Sequence, residues 1–194
     1  MTDHPTDTLL LTPRAGDYRV ILVDPPWHFS GGKKGRPQHY PRMSDSELRE
    51  LDPWGIANQD GCWLFMWSTS PKTADAFALA REWGFKYSGR GFLWAKTLRS
   101  DPTKWHLGMG YTTRKNAEDC WLFKSGKPKR LSKSVAELIV SPIREHSRKP
   151  DEVYDRIEAF APGPYLEMFA RQQRPGWDAW GNDTAHFPAT KETT

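Results

Sequence analysis

Cys62-Trp63-Leu64-Phe65-Met66-Trp67 is six apolar residues without a polar interruption. A strand with one wet face would alternate, and so short a run fits a strand buried on both faces. Such strands belong to parallel sheets covered by helices on each side. Further strands are read at "YRVILVD" ending in Asp24, "GFLWAK" (91–96), "DCWLFK" (119–124), "ELIVSP" (137–142), "YLEMFA" (165–170) and within "GWDAWGND" (176–183). Helices are read between them. Ser44 and Glu47 make a capping box, with Met43 and Leu48 placed as a hydrophobic staple, so a short helix starts near Asp45. "TADAFALAREWG" (73–84) places Ala76, Phe77, Ala80 and Trp83 on one face, with Gly84 as its stop. "PDEVYDRIEAFAPG" carries an acidic first turn and a Val153-Ile157-Phe160 stripe. Strand–helix alternation of this kind argues an α/β fold with a mostly parallel, twisted sheet.

The 194 residues suit one domain. We read residues 1–16 as a tail, 17–183 as the domain and 184–194 as a disordered tail. The apolar stretch in "MTDHPTDTLLLTPRAGD" lacks a basic lead-in, so no secretory signal is read. Only Cys62 and Cys120 are present, and the six histidines show no close ligand spacing. Neither a disulfide framework nor a metal site is expected, and a reducing, cytoplasmic setting is. Net charge is +4 and the pI about 9.1, mild support for a polyanionic partner. The charge concentrates in two loops: Lys33, Lys34 and Arg36, and "KSGKPKRLSKS" with Lys124, Lys127, Lys129, Arg130 and Lys133. Their bland reading is two solvated loops. "TLRSDPTKWHLGMGYTTRKNAE" is too long for a simple connection and is read as functional or mobile.

Ligands of such sheets bind at the carboxyl ends of strands, and there the first strand ends in Asp24-Pro25-Pro26-Trp27. Taken alone, this can be a proline-rich turn whose Asp accepts backbone bonds and whose Trp packs. Yet two prolines make it stiff and deprive it of N–H groups. Asp24 and the Pro25 carbonyl then form a rigid acceptor pair beside an aromatic plate. That suits a flat substrate with an NH2 group. Adenine's exocyclic amine is a poor nucleophile. Two acceptors on its hydrogens favour a pyramidal nitrogen and stabilise the positive charge that develops on attack. Trp27 is read as a surface for stacking the base, and a cationic loop suits a base flipped out of a duplex.

Asp24-Pro25-Pro26-Trp27 resembles the signature of the MT-A70 family of S-adenosylmethionine (SAM)-dependent adenine-N6 methyltransferases. "YPRMSDSEL", "GCWLFMWST", "WGFKYSGRGFLWAKT" and "SRKPDEVYDRIEAFAPGPYLEMFAR" follow in the family's order, so the resemblance runs from about Val20 to Asn182. It implies a Rossmann-like methyltransferase fold in permuted order, with the catalytic strand first and the SAM-binding strand "YLEMFAR" late. Asp24 to Trp27 then form the catalytic turn, Asp24 also facing the cofactor. Tyr40 lines the base pocket and Lys96 lies near it. Glu167, Phe169 and Arg171 surround the SAM ribose and methionine part, and Asn182 sits in a turn beside them. Lys33, Lys34, Arg36, Lys129 and Arg130 are read as nucleic-acid contacts. No metal is called for.

The chain departs from the pattern at Ala117, where relatives carry a lysine, and at Gln173-Arg174, which replace a His-Asn pair. It departs again at Asp183, which replaces a Gln. Asp7 and Asp17 are poor counterparts of the relatives' adenine-binding acid. The expected activity is methyl transfer to adenine N6 in nucleic acid, DNA ahead of RNA, in a bacterial or phage-infected cell. The alternatives are a catalytically inactive nucleic-acid-binding subunit of the same fold and an RNA adenine-N6 methyltransferase. A homodimer is compatible with either.

Overall fold

The computed structural model describes residues 16–28, 42–110, 112–145 and 147–181. Its centre is a seven-stranded sheet of β1 (Val20–Val23), β2 (Gly61–Ser68), β3 (Lys86–Thr97), β4 (Ala117–Gly126), β5 (Leu138–Pro142), β6 (Tyr165–Met168) and β7 (Trp177–Trp180). Their spatial order is β5-β3-β4-β2-β1-β6-β7. β1 is parallel to β2 and β6, β6 to β7, and β3 to β5. Only β4 is reversed, antiparallel to both β2 and β3. The other strands therefore share one carboxyl edge. The α/β, Rossmann-like expectation holds, and the reversal of β4 is a feature that an apolar run cannot announce.

Among the described residues four α-helices pack around the sheet: α1 (Asp45–Arg49), α2 (Pro53–Ile56), α3 (Thr73–Glu82) and α4 (Glu152–Phe160). The capping box forms as read: Glu47 N donates to Ser44 Oγ, and Ser44 N donates to Glu47 Oε2. Met43 and Leu48 pack into the same core. The single turn α2 is held by Asp52, which accepts from Gly55 N at 3.0 Å, too short a segment to show periodicity.

Side chains alternate across the sheet. Ile21, Val23, Leu64 and Met66 face one side with Leu48 of α1 and Ala76, Leu79 and Ala80 of α3. Val20, Leu22, Trp63, Phe65 and Trp67 face the other with Val153, Tyr154 and Ile157 of α4. All of β2 is buried, as its unbroken apolar run requires. Each such side chain contributes about 1.5–3 kcal/mol on burial. Cys62 and Cys120 are free thiols within these cores.

Candidate active site

Asp24 stands at the carboxyl end of β1, between β2 and β6. Pro25 and Pro26 turn the chain sharply. Trp27 N donates to Pro25 O at 2.8 Å, a three-residue turn that suits the fixed φ of Pro26. Met43 N donates to Pro26 O at 3.2 Å. The Pro25 carbonyl is therefore not unoccupied, contrary to the sequence reading, although its second lone pair can still accept. Trp27 is also corrected. It is 5% exposed, packs in the core with Leu48 and Met66, and donates through Nε1 to Trp67 O at 3.4 Å. So little surface leaves no open face for stacking a base. The aromatic is the bolt of the turn, not its plate.

Asp24 belongs to a chain of alternating charges. Lys149 Nζ lies 2.6 Å from Asp24 Oδ2 and 3.4 Å from Glu118 Oε2, and Lys96 Nζ lies 2.6 Å from Glu118 Oε1. Four elements supply these groups: β1, β3, β4 and the segment before α4. Burial pushes the Asp24 carboxyl above the ordinary carboxylate range, against the pull of Lys149. Burial opposes ionisation of Glu118 too, but Lys149 and Lys96 together hold it below its ordinary value. Lys149 and Glu118 were missed as site residues. A lysine before a proline at a helix start carries no signal of its own, and only the fold brings Lys149 to a carboxylate 125 residues away.

The second half of the site lies on β6. Glu167 pairs in register with Leu22, so it faces α4. Tyr154 of α4 donates to it, with its hydroxyl 2.9 and 3.0 Å from the two carboxylate oxygens. Gln172 Nε2 donates to the Tyr154 hydroxyl at 3.2 Å, and Arg148 donates to Gln172 Oε1 at 3.1 Å. Burial first, and Asp24 in addition, lift the Glu167 carboxyl to about 7, with Tyr154 opposing. Phe169 ends β6 in the left-handed region, φ 60°, with its ring 5.4 Å from that of Trp180. A solvent-open cleft of about 480 Å³ results, lined among others by Asp24, Trp67, Lys149, Glu167, Phe169 and Arg171.

The structure thus brings together Asp24, Glu167, Phe169 and Arg171, and sets Lys96 behind them through Glu118. Gln173 is exposed and Arg174 pairs with Asp155 and Glu158 on α4, so neither lines the cleft. Gln172 is the residue of that segment that faces the cleft. Lys129 and Arg130 are not brought to the site. Trp63 Nε1 donates to Lys129 O at 2.9 Å and Leu131 N donates to Phe160 O at 2.7 Å. Both contacts lie toward the amino edge, with Trp63 roughly 13 Å down β2 from Trp67. Tyr40, Lys33, Lys34, Arg36 and Asn182 lie outside the described residues, as do Asp7 and Asp183. Among the described residues no helix is long and apolar enough to cross a membrane.

A mostly parallel sheet with an acidic, lysine-held turn at its carboxyl edge and a second carboxylate on the neighbouring strand defines a Rossmann-like methyltransferase. The chain belongs to the MT-A70 family, whose model matches residues 18–183. It is similar to a type II methyltransferase, M.MunI of Mycoplasma sp, at 32% identity over 92% of this chain and 82% of that protein. It is also similar to the Drosophila melanogaster N(6)-adenosine-methyltransferase MT-A70-like protein, at 30% identity over 86% of this chain and 27% of the relative. With the human N(6)-adenosine-methyltransferase catalytic subunit METTL3 it shares 29% identity over 86% of this chain and 28% of that one. The chain therefore spans little more than a quarter of the length of these two animal relatives.

Proposed function

We propose that this protein transfers a methyl group from SAM to N6 of adenine in nucleic acid, with DNA ahead of RNA as substrate. The observation that carries the reading is the Asp24-Pro25 acceptor pair. Lys149 takes Asp24 Oδ2, and among the described residues Oδ1 makes no hydrogen bond. Oδ1 and the second lone pair of Pro25 O can then accept the two amine hydrogens of an adenine and turn the nitrogen lone pair outward. Positive charge grows on that nitrogen as it attacks, and a fixed carboxylate beside it stabilises the charge. Holding the partners in line contributes further, roughly 7–11 kcal/mol in favourable cases.

The cleft suits SAM. Asp24 and Glu167 favour a cationic ligand and can accept from ammonium and ribose hydroxyls, while Lys149 and Arg171 can meet its carboxylate. The buried indole N–H of Trp67 finds no acceptor among the described residues, although Trp67 lines the cleft, so a ligand acceptor has a donor waiting. When bound, the cofactor supplies an electrophilic methyl on sulfur, which departs as a neutral thioether. The new C–N bond takes the amine lone pair, and the surplus N6 proton leaves toward Asp24 Oδ1 and solvent. Nearly full-length similarity to a type II methyltransferase, against quarter-length similarity to the N(6)-adenosine-methyltransferases, favours DNA.

The test incubates pure protein with labelled SAM and matched DNA and RNA, then identifies the methylated nucleoside by mass spectrometry. N6-methyladenine in DNA is the expected product. Label in RNA alone reverses the substrate, and no methylated base in either removes the reading.

A further inference from the structure

Residues 98–110 and 112–116, between β3 and β4, form a short arm at the carboxyl edge. His106 N donates to Lys96 O at 2.9 Å, Leu98 N to Lys104 O at 2.8 Å and Gly108 N to Lys115 O at 2.7 Å. Thr97 bridges Trp105 and Gly108 bridges Lys115, both antiparallel. The return is tight: a Cβ on Gly108 would lie 2.8 Å from Lys115 O, and one on Gly110 would collide with Thr113 O. The arm is therefore held by its own backbone.

Its side chains are unusual for an exposed segment. Trp105, Leu107 and Met109 are 54%, 64% and 76% exposed, more so along the chain away from β3. An apolar face left in water at a site's rim marks a partner surface. Its surroundings say which partner. Arg99, Lys104, Arg114 and Lys115 stand against one carboxylate, Asp101, within the same segment. That excess is complementary to phosphate. The arm's base is also tied to the catalytic turn: Lys96, whose carbonyl holds His106, reaches Asp24 through Glu118 and Lys149.

We propose that this arm is a wedge for duplex nucleic acid. Trp105, Leu107 and Met109 enter the base stack beside the adenine delivered to Asp24, and the flanking cations seat on the phosphates. A base that leaves a duplex opens a gap and costs unstacking energy. Apolar side chains inserted between base steps hold such a gap open. The proposal rests on the function proposed above, and adds that the substrate is a duplex the protein itself opens.

The experiment compares wild type with Leu107→Ser/Met109→Ser and with Trp105→Ala. Each is assayed for methylation of a duplex and of the same strands single, alongside SAM affinity by calorimetry and particle mass by light scattering. A single strand needs no opening. The expected result is a loss of roughly tenfold or more in kcat/KM on the duplex, single-strand methylation within about twofold, and unchanged SAM affinity. Unchanged duplex methylation overturns the wedge, as does an equal fall on both substrates. A variant that halves the particle mass overturns it too, and makes the face a contact between two copies of the chain. A wild type that binds SAM but methylates neither form removes the underlying function and the wedge with it.

Discussion

Lys149 places its ammonium 2.6 Å from Asp24 Oδ2 and, on its other side, 3.4 Å from Glu118 Oε2. One cation is thus shared by two carboxylates, of which Asp24 lines the cleft. Lys149 draws the Asp24 pKa down, whereas the negative charge of Glu118 raises it. The two neighbours tune one group in opposite directions.

In the proposed function Asp24 accepts the amine as an ionised carboxylate, so activity should rise with pH through its pKa. Lys149→Met should lower kcat/KM by roughly 10²-fold and move the acid limb of the pH–rate profile upward. Glu118→Gln should move that limb downward. Opposite displacements in the two profiles are the check. Displacement in the same direction would mean that the shared cation is structural and does not set Asp24.

Trp27 gives a second prediction. Its burial and its bond to Trp67 O make it part of the core. Trp27→Ala should therefore cost about 3–5 kcal/mol of stability, read as a fall in Tm and in denaturant midpoint. A residue that served only to stack the base would change KM and leave Tm in place.

The difference between these two residues shows what the sequence could carry. Asp24 was legible, because a carboxylate followed by two prolines at the end of an apolar run is a local pattern with a physical meaning. So were the fully buried β2 and the capped α1, which depend on spacing alone. Trp27 was misread, because an aromatic looks the same in sequence whether its face is open or covered. That depends on Met66 and Leu48, which arrive from β2 and α1. Lys149, Glu118 and Tyr154 were illegible as site residues for a related reason. Each is an ordinary polar residue in its own segment, and the parallel pairing of β1 with β6 and the docking of α4 give them their partners. The reversal of β4 and the far-edge position of Lys129 were hidden for want of any directional signal in a strand.

The two basic segments can now be told apart by measurement. Replacing Lys33, Lys34 and Arg36 with Ala should weaken nucleic-acid binding and flatten its salt dependence, by about 0.9 in slope per lost contact on a duplex or about 0.7 on a single strand. SAM affinity should be untouched. Lys129→Ala with Arg130→Ala, at the amino edge, should leave methylation within about twofold. Titrations at several salt concentrations decide this. If the Lys129/Arg130 variant alone flattens the slope, the polyanion tracks the amino edge and the segment of Lys33, Lys34 and Arg36 is a bystander.

Glu167 carries the last prediction, in which stability and function run against each other. Burial lifts its carboxyl from an ordinary 4.5 to about 7 in the folded protein. The folded state therefore holds a proton that the unfolded state has released between those values. Its contribution to stability is fully present below about pH 4.5 and is lost as pH rises through about 7, on the order of 3 kcal/mol. Subtracting the unfolding free energy of Glu167→Gln from that of wild type, from pH 4.5 to 8, should isolate this fall, since Gln cannot titrate. SAM affinity should move the other way. A neutral Glu167 has lost one acceptor and the charge that favours a cationic ligand, so wild-type affinity should climb over the same interval while the Gln variant stays nearly flat. Calorimetry across that pH range tests it. A stability difference that falls while affinity does not rise would leave Glu167 as a buried acid held by Tyr154, with no part in binding the cofactor.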